Sequence, residues 1–291
     1  MLVAAAVCPH PPLLVPRAMG AAGPRGDAGM GDVLAACDAA VAGLKAAEPD
    51  VIVVVGGAET SAVYDGPAAG SLREYGVAFS TGTGEPVLPL SLTVGVWLLA
   101  RADHERGGAS APRVLLRAVD RATSAAECLR LGDALARQAD RVAMLAMGDG
   151  PARKAVGVPG APDPAAEGYD TEVAAALAAA DPARLARLAP SLDDELMVAG
   201  RAAWQVLAGA ADGRRRARGP RCARPAPARR GRQAACERVL PWLSPGPGAA
   251  ATVRPRWRAR PPRRLPGSGQ RRQCHAPGRP APAGPHPGPR P

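Results

Sequence analysis

Aromatic residues make up only 3% of the chain, with a single phenylalanine. In the first 212 residues they are Trp97, Trp204, Tyr64, Tyr75, Tyr169 and Phe79, too scattered to name a stacking platform for an aromatic ligand. No run reaches the roughly 18 apolar residues that a membrane-spanning helix needs. The six cysteines include no CxxC pair, and the gaps of 29 and 91 residues between Cys8, Cys37 and Cys128 match no zinc pattern. Nothing in them points to an oxidising compartment. No GxSxG sequence occurs, which leaves a hydrolase nucleophile elbow without support. The pair Gly56-Gly57 lacks the spacing of a phosphate-binding fingerprint. The opening Met1–Cys8 has no basic segment before its short apolar run, and Pro9 follows. It reads as a first β-strand rather than a signal segment, and a cytoplasmic protein is expected.

Charge is missing in one sense only. Residues 213–291 hold 20 arginines and 17 prolines, no lysine, and one acid, Glu237. The whole chain's +11 therefore leaves residues 1–212 at −8. The high pI belongs to the C-terminal stretch, and overall basicity is no argument for a nucleic-acid partner. A proline about every five residues excludes helices and central strands there, so 213–291 is expected to be a disordered tail. Three readings of it stand side by side. One is a basic arm neutralising phosphates through clusters such as Arg214-Arg215-Arg216 and Arg271-Arg272. Another is a low-complexity linker. The third, favoured by the abrupt break at Gly213 and the absence of lysine, is the shifted-frame translation of a GC-rich gene, with no part in function.

Residues 1–212 are expected to form one α/β domain with a mostly parallel sheet flanked by helices. Leu2–Val7 is a short apolar strand closed by Cys8-Pro9-His10-Pro11-Pro12. Residues 20–31 read as loop, and Asp32–Ala47 as an amphipathic helix. Val51–Gly57, β-branched and bounded by glycines, is the strongest strand signal and suits the centre of a parallel sheet. A strand is expected at Gly76–Ser80, a helix at Leu90–Ala102 and a strand at Arg113–Ala118. Ser124 with Glu127 forms a capping box that opens a helix to about Ala139. Arg141–Met147 is another buried strand. Asp163-Pro164 and Asp181-Pro182 each open a helix, running to about Ala180 and Leu188. Ser191 is expected to cap one last helix to about Ala211.

Candidate chemistry gathers where strands end. His10 directly follows the first strand, and strand C-termini line the ligand crevice of open α/β sheets. A loop histidine held by backbone hydrogen bonds is the plainer reading. If the strands are parallel, Glu59, after Val51–Gly57, opens on the same edge. An imidazole and a carboxylate there can hold a divalent metal, His10 and Glu59 being the two ligands. A solvated loop carboxylate is the alternative for Glu59. Asp149, in Gly148-Asp149-Gly150, either joins that rim or marks an ordinary turn. His104, within Asp103-His104-Glu105-Arg106, reads as a surface residue.

Four segments in order carry a family resemblance: Leu2–Val15 with Cys-Pro-His-Pro-Pro-Leu-Leu-Val; Val51–Glu59; Val142–Arg153 with Met-Gly-Asp-Gly; and Gly168-Tyr169-Asp170 through Gly200–Leu207. Over residues 1–212 the chain resembles the class III extradiol ring-cleavage dioxygenase family, in particular an actinobacterial branch of it. The resemblance implies a non-haem Fe(II) site that binds a catechol and dioxygen, held by two histidines and an acidic residue, in a protein that assembles with its own copies. His10 matches the first ligand, and Glu59 stands where the second histidine is expected. Met197, Val198 and Ala199 occupy the place of the third and offer no donor. The acid/base histidine falls near Ala152-Arg153 and is missing. The implied function is an extradiol dioxygenase-like protein with a degenerate site and weak or no ring cleavage. The alternatives are a non-catalytic domain of the same fold that binds a small molecule or partner, and nucleic-acid binding through the basic tail.

Overall fold

The architecture follows from two strands that are apolar on both faces. In β2 (Val51–Ala58) the run Val51–Val55 is buried throughout, and in β7 (Val142–Met147) all six residues are. Strands of that kind are stable only between two layers of helices. The computed structural model describes residues 1–16, 30–64, 66, 68–103, 112–153 and 163–216, the side chains of 194 and 213–216 excepted. Most of the expected loop at 20–31, His104, and the stretch from 217 onward, where the disordered tail is expected, lie outside the described residues.

The other elements are β1 (Leu2–Cys8), α1 (Met30–Ala46), β3 (Ala62–Tyr64), β4 (Gly70–Ser71), β5 (Ser80–Thr81), α2 (Leu90–Asp103), β6 (Arg113–Asp120), α3 (Ala125–Leu135), α4 (Pro164–Ala178), α5 (Pro182–Ala186), α6 (Ser191–Leu196) and α7 (Arg201–Arg216). The fold is α/β. Among the described residues its sheet has five strands in the order β1-β7-β2-β6-β3, in which β1, β7, β2 and β6 run parallel and β3 is antiparallel. Four strand C-termini therefore share one edge. β4 and β5 form a separate antiparallel pair.

Alternation along each strand divides the core. Ala4, Ala6, Ile52, Val54, Leu145 and Met147 pack with α1 and α2 on one face. Val51, Val53, Val55, Met144 and Ala146 pack with α3 and α7 on the other. A third cluster, including Tyr169, Val173, Leu185 and Trp204, seats α4 and α5 on the outer side of α7.

Several boundaries differ from expectation. The strand expected at Gly76–Ser80 is not formed. A 3₁₀ turn at Arg73–Tyr75 ends at Gly76 with φ +77°, and the reversal brings Leu72 N–H to Phe79 O, leaving only Ser80–Thr81 to pair. The capping box at Ser124 is present, but α3 stops at Leu135. The single helix expected over Ser191–Ala211 is two. Met197 takes φ +56°, and Val198 forms a bridge with Pro151 instead of continuing the helix. The residue before α6 is Pro190, which makes no side-chain cap, so Ser191 is the first helical residue rather than the cap. The last helix also runs to Arg216, past the composition break at Gly213.

Helices α3 and α7 approach closely because each offers a glycine to the other's backbone. A Cβ on Gly132 would overlap the carbonyl oxygen of Val206, and one on Gly209 would overlap that of Leu129. Backbone cannot yield as a side-chain tip can. Gly132→Ala is therefore expected to force the helices apart and destabilise the fold by about 1–3 kcal/mol, read as a lowered urea midpoint; an unchanged midpoint would contradict this packing.

Candidate functional site

The C-terminal edge of the sheet brings together the ends of β1, β7 and β2. After β1, Pro9, Pro11 and Pro12 restrict the backbone around His10, and a 3₁₀ turn at Pro12–Leu14 closes with Leu14 N–H on Pro11 O at 2.9 Å. His10 is thus presented by a stiff loop, and it is buried. After β7, Gly148 N–H donates to Cys8 O at 3.0 Å, which ties the two strand ends together. Asp149 follows, facing His10. Its Oδ1 accepts the backbone N–H of His10 at 2.8 Å, and its Oδ2 lies 3.5 Å from His10 Nε2. The Asp149 side chain keeps 25% of its surface exposed, that of His10 only 9%.

Asp149 thus stands on the rim rather than in an ordinary turn. His10 lies at the C-terminal end of β1, and its backbone N–H is held by a carboxylate. Glu59 is placed elsewhere. It follows β2, which β7 separates from β1, so the two loops start about 10 Å apart at ordinary strand spacing. Its side chain is 92% exposed and lies 3.7 Å from Arg121 at the end of β6. That is the solvated loop carboxylate, here with an arginine beside it.

The segment between α6 and α7 covers the same edge. Ala199 N–H donates to Asp149 O at 3.2 Å, and Ala152 N–H to Leu196 O at 3.1 Å. Val198 is buried and Met197 is 45% exposed, while the Glu195 carbonyl accepts from Arg153 Nη1 at 2.9 Å. Among the described residues, no three His, Cys, Asp or Glu side chains come together as a metal set. His10 and Glu59, with Met197–Ala199 in the place the resemblance assigns to a third ligand, do not fit the two-histidine, one-carboxylate facial set typical of non-haem Fe(II) oxygenases. His10 Nδ1 is buried without a hydrogen-bond partner among the described residues, and Nε2 is turned to Asp149.

What holds this segment down is a group that sequence reading did not single out. Arg201, 1% exposed, begins α7. Its Nε contacts Asp193 Oδ2, and Nη1 donates to Gln205 Oε1 at 2.7 Å and to Thr123 O at 3.0 Å. Nη2 donates to Arg121 O. Gln205 Nε2 in turn reaches Leu188 O at 3.0 Å. One guanidinium therefore joins α6, α7, the α5–α6 turn and the loop after β6. The signal was the spacing of Arg201 and Gln205, four apart on one face of an otherwise alanine-rich helix. Arg201→Ala would strip the buried Asp193 of this cation and take donors from two carbonyls. A loss of about 3–5 kcal/mol is expected, measured by urea unfolding; a change below about 1 kcal/mol would show the cluster to be incidental.

Burial lowers the His10 pKa below its ordinary 6.5, and the Asp149 carboxylate only partly opposes this. The folded state thus keeps the ring neutral at a pH where the unfolded chain binds a proton. Stability contributed by the neutral ring is complete above about pH 6.5 and falls as the pH drops below it, until the folded pKa is reached. Urea midpoints for the wild type are expected to fall between pH 7.5 and 5 more steeply than those of His10→Gln. Parallel curves would exclude His10 as the titrating group.

Compared with known proteins, the chain matches no protein-family model and no curated protein.

Proposed function

We propose that this chain is an extradiol dioxygenase-like domain that binds a small hydroxylated aromatic molecule without cleaving its ring. The observation that carries the reading is the Asp149 carboxylate, one-quarter exposed at the shared strand edge and held from behind by His10. Ligands of open parallel sheets dock at this edge. A partly exposed carboxylate with its orientation held is a strong acceptor for a ligand hydroxyl. The ligand class comes from the family resemblance. The reading without ring cleavage is supported by the donors, since Glu59 faces Arg121 and residues 197–199 hold no metal-ligating side chain of the expected kind. Fe(II) held by a facial triad would supply dioxygen chemistry, and no step here passes through it. Three free buried thiols, Cys8, Cys37 and Cys128, accord with a reducing, cytoplasmic setting.

The test is calorimetric titration of the full chain with catechol, beside oxygen-electrode traces after anaerobic loading with Fe(II). Saturable binding without oxygen uptake is expected, with affinity reduced about tenfold or more in Asp149→Ala as a charge-assisted hydrogen bond is lost. Stoichiometric iron with oxygen consumption and a ring-fission chromophore would make the protein an active dioxygenase. Absence of catechol binding would remove the ligand assignment.

A further inference from the structure

Asp149 Oδ1 accepts the backbone N–H of His10 at 2.8 Å, and Oδ2 lies 3.5 Å from Nε2 of the same residue's ring, at the outer limit of a hydrogen bond. A neutral imidazole carries one proton, on either nitrogen. With the proton on Nδ1, the Nε2 lone pair would point at a carboxylate, and a buried N–H would stand without an acceptor. With the proton on Nε2, the ring edge facing Asp149 is positive, and the atom left without a partner is a bare lone pair. The second arrangement removes a repulsion and avoids an orphaned donor, which costs more than an orphaned acceptor of a neutral ring.

We infer that His10 is held as the neutral Nε2–H tautomer by Asp149, and that it acts as a positioning residue for that carboxylate rather than as a metal ligand. Nε2, the ring atom on the Asp149 side, keeps its proton and has no lone pair for a cation. Nδ1 has the lone pair but essentially no exposed surface. A metal binding this ring must therefore break the His10–Asp149 contact or open the loop at Pro9–Pro12. The charge balance supports the neutral ring, since burial outweighs the attraction of Asp149. This tautomer belongs to the site used for the proposed ligand but does not depend on that ligand. The mismatch with Fe(II) thus extends to the one residue that matched the family's pattern: His10 has the right identity at the right position, with Nε2 turned to Asp149 and Nδ1 buried.

The experiment is long-range proton–nitrogen NMR on the full chain labelled with ¹⁵N-histidine at pH 7.5, with the His10 signals assigned by their loss in His10→Gln. A protonated Nε2 and a bare Nδ1 are expected. A proton on Nδ1, or a doubly protonated ring, would overturn the inference. In Asp149→Asn the amide can present N–H to the ring, so the proton is expected to move toward Nδ1. An unchanged tautomer in that variant would show that Asp149 does not set it, whereas a purely structural role for Asp149 would leave the nitrogen pattern alone. Zinc chloride added to the wild type is expected to leave the His10 ring signals in place; their displacement by coordination would overturn the positioning role. Because no aromatic ligand enters the readout, failure to bind catechol with this tautomer intact would sink only the functional proposal.

Discussion

A guanidinium almost without exposure to water sits where the last two helices meet the sheet edge, and the candidate site depends on it. Arg201 cannot be solvated there, so its hydrogens must be taken up by Asp193, Gln205 and the carbonyls of Arg121 and Thr123. Those partners come from three places in the chain. Satisfying them fixes the start of α7, which fixes residues 197–200, and Ala199 then delivers its N–H to the backbone of Asp149. The position of the rim carboxylate is therefore secured twice, by His10 on one side and by the arginine cluster through the main chain on the other.

The fold was legible where one physical requirement dominated. Val51–Gly57 and Arg141–Met147 had to be covered on both faces, and the alternation of strands with helices led to the parallel sheet. Ser124–Glu127 and Asp163-Pro164 marked their helix starts through local hydrogen bonding and a pre-set φ, which tertiary context had no reason to override. The errors came where distant contacts decide. Gly200 is the only local sign of a break near Met197, and the contacts that hold the broken segment, Pro151 and Asp149, lie on another loop. A pattern read along one chain segment does not reveal such a partner. Gly76 shows a local version of the same limit, since one left-handed residue converts an apparent strand into a turn.

The site was legible as a list and not as an arrangement. His10, Glu59 and Asp149 were all visible as polar residues after strands, and parallel strands do put them on one edge. Which two are neighbours depends on strand order, and β7 lies between β1 and β2 although it comes last in sequence. The imidazole therefore meets the carboxylate of Asp149, and Glu59 is left to Arg121. A family resemblance carries identities by position, and it placed a ligand at His10. Protonation and orientation are properties of the neighbour, and they come only with the fold.

That same strand order bears on how the chain reaches its native state. β1 is made first, yet its one sheet neighbour among the described residues is β7, some 140 positions later. β2 and β6 pair with each other across a much shorter stretch of chain, whereas β1 has no partner in the sheet until β7 is made. Pairings of such high sequence separation close late and slowly, and open apolar edges attract other chains meanwhile. The first strand of the chain thus depends for its place in the sheet on the last, which ties the N-terminal edge of the fold to completion of β7.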